Sequence, residues 1–187
     1  MKHVSKKREI RLLDADGVRR TIIRMSHEIL EHNRGIRDLA LIGIRTRGAY
    51  IAERVASIIE AEEGKRPFFG VLDITLYRDD LSSASEKPIV RATEIPFDVR
   101  DKVIVLIDDV LYTGRTARAA LDAIMDFGRP KKIELAVLMD RGYRELPIRA
   151  DYVGRELAIK ENEVVLVRIR EIDGIDEVVI EEMNEAE

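Results

Sequence analysis

The sequence predicts an α/β protein with an open, mainly parallel sheet flanked by helices. Three observations lead there. The runs Leu39 to Ile44, Val103 to Ile107 and Ile133 to Met139 are apolar throughout, as strands covered on both faces must be. Two of these runs are followed at once by a short polar loop and then by apolar residues at helical spacing. Finally, 187 residues with 45% hydrophobic content suffice for one domain with a substantial core, residues 1–187, and are too few for two full-sized ones.

Composition excludes several function classes. There is no cysteine, hence no disulfide, thiolate zinc site or cysteine nucleophile. A net charge of −4 argues against nonspecific coating of nucleic acid, although a local basic patch remains compatible with it. No apolar stretch approaches membrane-spanning length and the N-terminus MKHVSKKREI lacks a signal-peptide core, so a cytoplasmic protein is expected. With 36% charged residues, surface ion-pair networks are available.

In chain order, Lys2 to Arg11 reads as a basic arm or first strand. A helix follows, entered through an aspartate N-cap at Asp14 or Asp16 and ended near Asn33 by Gly35. Val18, Ile22, Met25 and Ile29 form its core stripe, while Arg20, Arg24, His27 and Arg34 lie on another face. Leu39 to Ile44 is a buried strand. It runs into Arg45-Thr46-Arg47-Gly48, and a helix from Ala49 to Glu63 turns Ile51, Val55, Ile58 and Ile59 inward. Phe68 to Tyr77 reads as a third strand. The polar run Arg78 to Ser85 and a return strand at Ile89 to Thr93 make a flexible hairpin loop of about 74–92, a lid candidate.

Val103 to Ile107 is the central strand. Asp108 and Asp109 follow, then the loop Val110-Leu111-Tyr112-Thr113-Gly114-Arg115-Thr116, then a helix over 117–127 stopped by Gly128-Arg129-Pro130. The carboxylates therefore sit at the carboxyl end of a central strand, where open α/β sheets bind ligands. The hydroxyls of Thr113 and Thr116, with free N–H groups at a helix start, suit a phosphate. Gly114 permits the turn. Asp108 and Asp109 can only accept hydrogen bonds, so they suit ribose hydroxyls or a metal ion. A ligand with phosphate at one end and vicinal hydroxyls nearby is a sugar phosphate. Beyond Met139, residues 140–154 cross the top of the sheet, Val164 to Ile169 closes the domain, Val178 to Ile180 is an edge strand, and the acidic tail 181–187 frays.

The segment IVLIDDVLYTGRT, Ile104 to Thr116, resembles the phosphoribosyl pyrophosphate (PRPP) motif of type I phosphoribosyltransferases. With TRGAYIA at 46–52, DITLYRDDLS at 73–82 and DRGYRELPIRADYVG at 140–154, it identifies the chain as similar to the PyrR family. These are bifunctional regulators of pyrimidine-operon attenuation and uracil phosphoribosyltransferases. The resemblance implies the type I fold with a small hood, formed mainly by about 140–165 with the N-terminal segment. It implies conversion of uracil and PRPP to UMP and pyrophosphate, with Mg2+ carried by PRPP near Asp108 and Asp109 and no direct protein metal site.

The same resemblance assigns roles. Asp108 and Asp109 hold the ribose; Val110, Leu111, Tyr112, Thr113, Gly114, Arg115 and Thr116 line the 5′-phosphate loop. Thr46, Arg47 and Gly48 take the pyrophosphate, with a non-proline cis peptide expected between Thr46 and Arg47, and Arg78 closes on it. Arg141 and the backbone of Val164 face the base. A basic surface on a homodimer or homotetramer, with Arg24, His27, Arg144, Arg149 and Arg155, would bind leader mRNA when UMP or UTP is bound. Ile23 and Tyr143 stand where the family has threonine and histidine. A second reading keeps the RNA regulation and reduces the pocket to a UMP/UTP sensor with negligible catalysis. A third, transfer to another base such as a purine, is disfavoured by the hood segment.

Overall fold

The computed structural model describes residues 9–79 and 92–182. Its elements are β1 (Glu9–Leu13), α1 (Ala15–Asn33), β2 (Leu39–Ile44), α2 (Arg47–Glu63), β3 (Phe68–Leu72), β4 (Val103–Leu111), α3 (Arg115–Met125), β5 (Lys132–Asp140), β6 (Tyr152–Glu156), β7 (Glu163–Arg168), α4 (Arg170–Asp173) and β8 (Glu177–Glu182). Five strands form a parallel sheet in the order β3-β2-β4-β5-β6. The chain steps outward from β2 to β3, then returns to the other side of β2 as β4. The switch point between β2 and β4 is where such sheets open a crevice.

Alternation along each strand feeds two cores. Leu39, Leu41, Val105, Ile107, Ala136 and Leu138 pack against Val18, Ile22, Met25 and Ile29 of α1 and Ile51, Val55 and Ile59 of α2. Ala40, Ile42, Ile104, Leu106, Leu135 and Val137 pack against Ala117, Ala120 and Ile124 of α3 on the other face. Ile58, expected inward, is only partly buried. No helix among the described residues is long and apolar enough to cross a membrane.

A second, antiparallel sheet in the order β1-β8-β7 carries Val165, Val167 and Val178 into the first of these cores. The segment expected to form the hood is thus divided. Tyr152–Glu156 extends the main sheet beside β5 instead of crossing its top, and the small sheet is made by β1, β7 and β8. Val178 to Ile180 lies in the central strand of that sheet, not at an edge, because both β1 and β7 pair with it.

Other boundaries shift for local reasons. The third strand ends at Leu72, five residues before the sequence suggests. There the Asp73 carboxylate accepts hydrogen bonds from the Thr75 amide (2.8 Å) and hydroxyl (2.5 Å), turning the chain into a 3-10 turn at Thr75–Tyr77. That turn is strapped to α3: Arg118 donates to the Tyr77 carbonyl at 2.9 Å, Arg115 pairs with Asp79 at 2.6 Å, and the Tyr77 hydroxyl meets Asp126. Most of the expected hairpin loop, 80–91, lies outside the described residues, as do the arm at 1–8 and the tail at 183–187; an antiparallel bridge from Val71 to Glu94 marks where the chain returns. The central strand continues through Asp108 to Leu111, so Val110 and Leu111 belong to β4 and not to the loop.

Candidate active site

Two strand–loop–helix units meet at the switch point. Helix α1 is closed by a side chain: Asp14 accepts from the Gly17 amide at 2.7 Å. Helices α2 and α3 start at Thr46 and Gly114 with no side-chain cap. The Arg115 amide reaches the Thr113 hydroxyl at 3.3 Å, the other first-turn amides have no side-chain partner among the described residues, and the helix dipoles favour an anion there. Gly114 has φ 94°, a backbone state that side chains disfavour, and Leu146 and Ile148 lie 3.4 Å from where its β-carbon would be. The amides of Glu145 and Leu146 both donate to the Thr113 carbonyl, at 3.0 and 3.1 Å, so residues 141–148 roof the loop.

The two loops face one another. A β-carbon on Gly48 would collide with the Ile107 carbonyl oxygen and stand 3.0 Å from the Asp108 Cα. The absence of one lets the first loop lie directly against the acidic strand end. A cleft of about 400 Å3 is lined by Arg45, Thr46, Arg47, Asp73, Ile74, Thr75, Arg78, Asp108, Asp109, Val110 and Thr116. A smaller hollow of about 120 Å3 lies beside it, bounded by residues 110–114, Thr116 and Ala117. Of the site residues expected from sequence, Thr46, Arg47, Arg78, Asp108, Asp109, Val110 and Thr116 share the main cleft. Leu111, Tyr112, Thr113 and Gly114 line the hollow; Arg115 flanks Arg78, Asp79 and Thr116. Asp73 and Thr75 were not foreseen as cleft residues; the Asp-x-Thr turn signal after an apolar run could have found them. A non-proline cis peptide is present one bond earlier than expected, between Arg45 and Thr46.

Electrostatics in the cleft are unbalanced in a useful way. Burial pushes the Asp108 carboxyl well above the usual carboxylate range, and the charge of Asp109 adds to it. The Asp108 carboxylate accepts the Asp109 amide and the Asp109 carboxylate the Val110 amide, each at 2.9 Å. Cationic Arg45, Arg47 and Arg78 stand opposite. No cluster of three or more metal-ligating side chains exists among the described residues. Two carboxylates with no third ligand fit a cation that brings most of its oxygens from a bound ligand, the usual habit of Mg2+.

Arg141 is buried, 6% exposed, with its guanidinium 3.8 Å from the Tyr112 ring centroid. It donates to the carbonyls of Glu161 (3.1 Å) and Glu163 (2.5 Å), and its Nε has no partner. It therefore joins the loop after β4 to the start of β7, where Val164 lies.

The residues assigned to RNA are scattered in role. Arg24 on α1 pairs with Glu28 and donates to the Val153 (3.2 Å) and Gly154 carbonyls of β6. His27 lies 3.3 Å from Glu62, and Arg155 donates to the Leu12 carbonyl at 3.2 Å. Arg149 is exposed and has no partner among the described residues. Arg144 is turned into the roof: it donates to the carbonyls of Tyr112 (2.8 Å), Gly142 (3.2 Å) and Ile148 (2.9 Å) and to Asp140 (2.5 Å).

Comparison with known proteins agrees with this geometry. The phosphoribosyl transferase domain family matches residues 11–169. The bifunctional protein PyrR of Pelotomaculum thermopropionicum is 59% identical over 174 residues, 93% of this chain and 96% of that protein. The PyrR of Thermus aquaticus is 59% identical over 167 residues, 89% of this chain and 92% of its own length. Among solved structures, a hypoxanthine phosphoribosyltransferase of Trypanosoma cruzi superposes with a TM-score of 0.71 at 14% identity, covering 96% of this chain and 94% of the other. One from Staphylococcus aureus gives 0.68 at 18% identity, covering 94% and 93%. Those two likenesses speak for the fold. With an acidic strand end, two uncapped helix starts and relatives this similar over nearly their full length, the chain belongs to the PyrR family of phosphoribosyltransferases.

Proposed function

We propose that the chain transfers the phosphoribosyl group of PRPP to uracil, releasing pyrophosphate and forming UMP, and regulates pyrimidine genes by nucleotide-dependent binding of leader mRNA. The observation that carries the first half is the convergence of the two uncapped helix starts on the Asp108–Asp109 strand end. The Thr113 and Thr116 hydroxyls with the amides at the start of α3 suit the 5′-phosphate, and the amides at 46–48, with Arg47 and Arg78, suit the pyrophosphate. Asp108 and Asp109 accept the ribose hydroxyls between them. Mg2+ arriving with PRPP would rest near these two carboxylates and neutralise charge on the leaving pyrophosphate. The sugar carbon becomes cationic as the bond to pyrophosphate stretches, and the fixed carboxylates and arginines stabilise both ends of that separation without reorganising. No side chain serves as a nucleophile; the base displaces pyrophosphate directly. Arg141, by holding the carbonyls of Glu161 and Glu163, shapes the edge where main-chain groups near Val164 can read uracil.

The test is formation of labelled UMP from uracil, PRPP and Mg2+. Turnover with hypoxanthine or guanine but not uracil would replace this reading with a purine transferase. Nucleotide binding without turnover would leave only the UMP/UTP sensor.

The regulatory half rests on relatives named bifunctional and on the α1–β6 surface. Arg24 and Arg155 are exposed on α1 and β6 and Arg149 is exposed just before β6, and we assign RNA contact to these three and His27 before the inward-turned Arg144. Arg24→Ala should weaken hairpin retention in a salt-sensitive manner while UMP synthesis stays within about twofold; equal loss of both would make Arg24 structural. We also propose a cytoplasmic homo-oligomer, which sedimentation would test.

A further inference from the structure

We infer that Asp173, on the short helix after β7, is a positioning residue for Arg47 and couples the pyrophosphate subsite to the small sheet. The inference rests on the reading of Arg47 given above. Asp173 accepts from Arg47 Nη2 at 2.9 and 3.2 Å and from Nε at 3.3 Å. Its Oδ2 also accepts the Ile169 amide at 2.8 Å. Ile169 is fully buried and directly follows β7. One carboxylate thus grips the Nε–Nη2 edge of the guanidinium and the end of the strand that carries Val164. Among the described residues Arg47 Nη1 makes no hydrogen bond, so that corner is available to a ligand.

Two facts separate positioning from the other roles this carboxylate could have. Asp173 is not among the residues lining the cleft, so it approaches Arg47 from outside and does not occupy the anion's place. Nor is it needed to dock the short helix, because Arg54, about two turns further along α2, already binds Glu171 (2.6 and 3.0 Å) and Asp176 (2.8 and 3.1 Å). Four close contacts hold α2 to α4 and the turn that follows it without Asp173. What Asp173 adds is orientation: an arginine held along one edge loses less freedom when it meets the pyrophosphate.

The experiment is a double-mutant cycle read in steady-state kinetics on the full chain. Asp173→Asn keeps an oxygen for the Ile169 amide and weakens only the grip on Arg47. We expect kcat/KM for PRPP to fall roughly tenfold and pyrophosphate inhibition to weaken in parallel, with KM for uracil within about twofold. Asp173→Glu, which restores the charge, should recover part of the loss. In an Arg47→Ala background Asp173→Asn should change kcat/KM for PRPP by less than about twofold. Full additivity of the two changes, or a loss confined to uracil KM and melting temperature, would overturn the inference. Wild-type protein that makes UMP while the cycle is additive removes this proposal alone; wild-type protein with no turnover removes the functional reading and this proposal with it.

Discussion

A buried carboxylate and a half-buried one on neighbouring central strands show how this fold separates chemistry from support. Glu134, near the start of β5, is 1% exposed, and both of its carboxylate oxygens are engaged. It takes hydrogen bonds from Tyr152 (2.6 Å), Asn33 (3.1 Å) and Lys132 (2.5 Å), with His32 at 3.4 Å. Burial pushes its carboxyl up, but these partners outweigh burial and hold it below the usual range. Asp108, at the far end of β4, has burial and a like charge beside it, and only one backbone amide in return. The same residue chemistry is therefore satisfied at the amino ends of the strands and left in want of partners at the carboxyl ends.

That contrast breaks if the wrong carboxylate proves catalytic. Asp108→Asn and Asp109→Asn should each lower UMP formation by about 100-fold or more, whereas Glu134→Gln should stay within about threefold. The next effect is on stability. Glu134→Ala strands the Tyr152 hydroxyl, the Asn33 amide and the Lys132 ammonium, and should cost about 3 kcal/mol in denaturant unfolding. Asp108→Asn should do the reverse, stabilising the ligand-free protein by about 0.5–2 kcal/mol and raising its melting temperature by a few degrees.

The smallest effect has opposite signs at the two sites. Asp108 is protonated more readily folded than unfolded, so ligand-free stability should fall as pH rises from the ordinary carboxylate range through its raised pKa. Glu134 is protonated less readily when folded, so its contribution is present above the ordinary carboxylate range and lost as pH falls through its lowered pKa. Urea midpoints followed across acid pH should lose the first slope in Asp108→Asn and the second in Glu134→Gln. Slopes unchanged by either substitution would dissolve the comparison.

A similar contrast separates the helices. Asp14 caps α1, whose start lies away from the cleft; Thr46 and Gly114 leave α2 and α3 without a side-chain cap where the cleft lies. The cap at Asp14 could be read from residue types alone, since an aspartate before an apolar stripe has a local partner three residues on. That the other two starts converge could not be read, because their approach depends on Gly48 lying against Ile107 and Asp108, residues about sixty positions away.

The sequence by itself determined the strand and helix identities over 15–63 and 103–140, the acidic pair at a strand end and the family, because apolar periodicity and short motifs act over a few residues. Only the tertiary structure decided that Tyr152–Glu156 joins the main sheet, that β8 is central in the small one, and that Arg144 braces a roof while Asp173 grips Arg47. Strand neighbours and arginine partners are chosen by long-range packing and by competition among many charges, and no local pattern of residues records which partner wins.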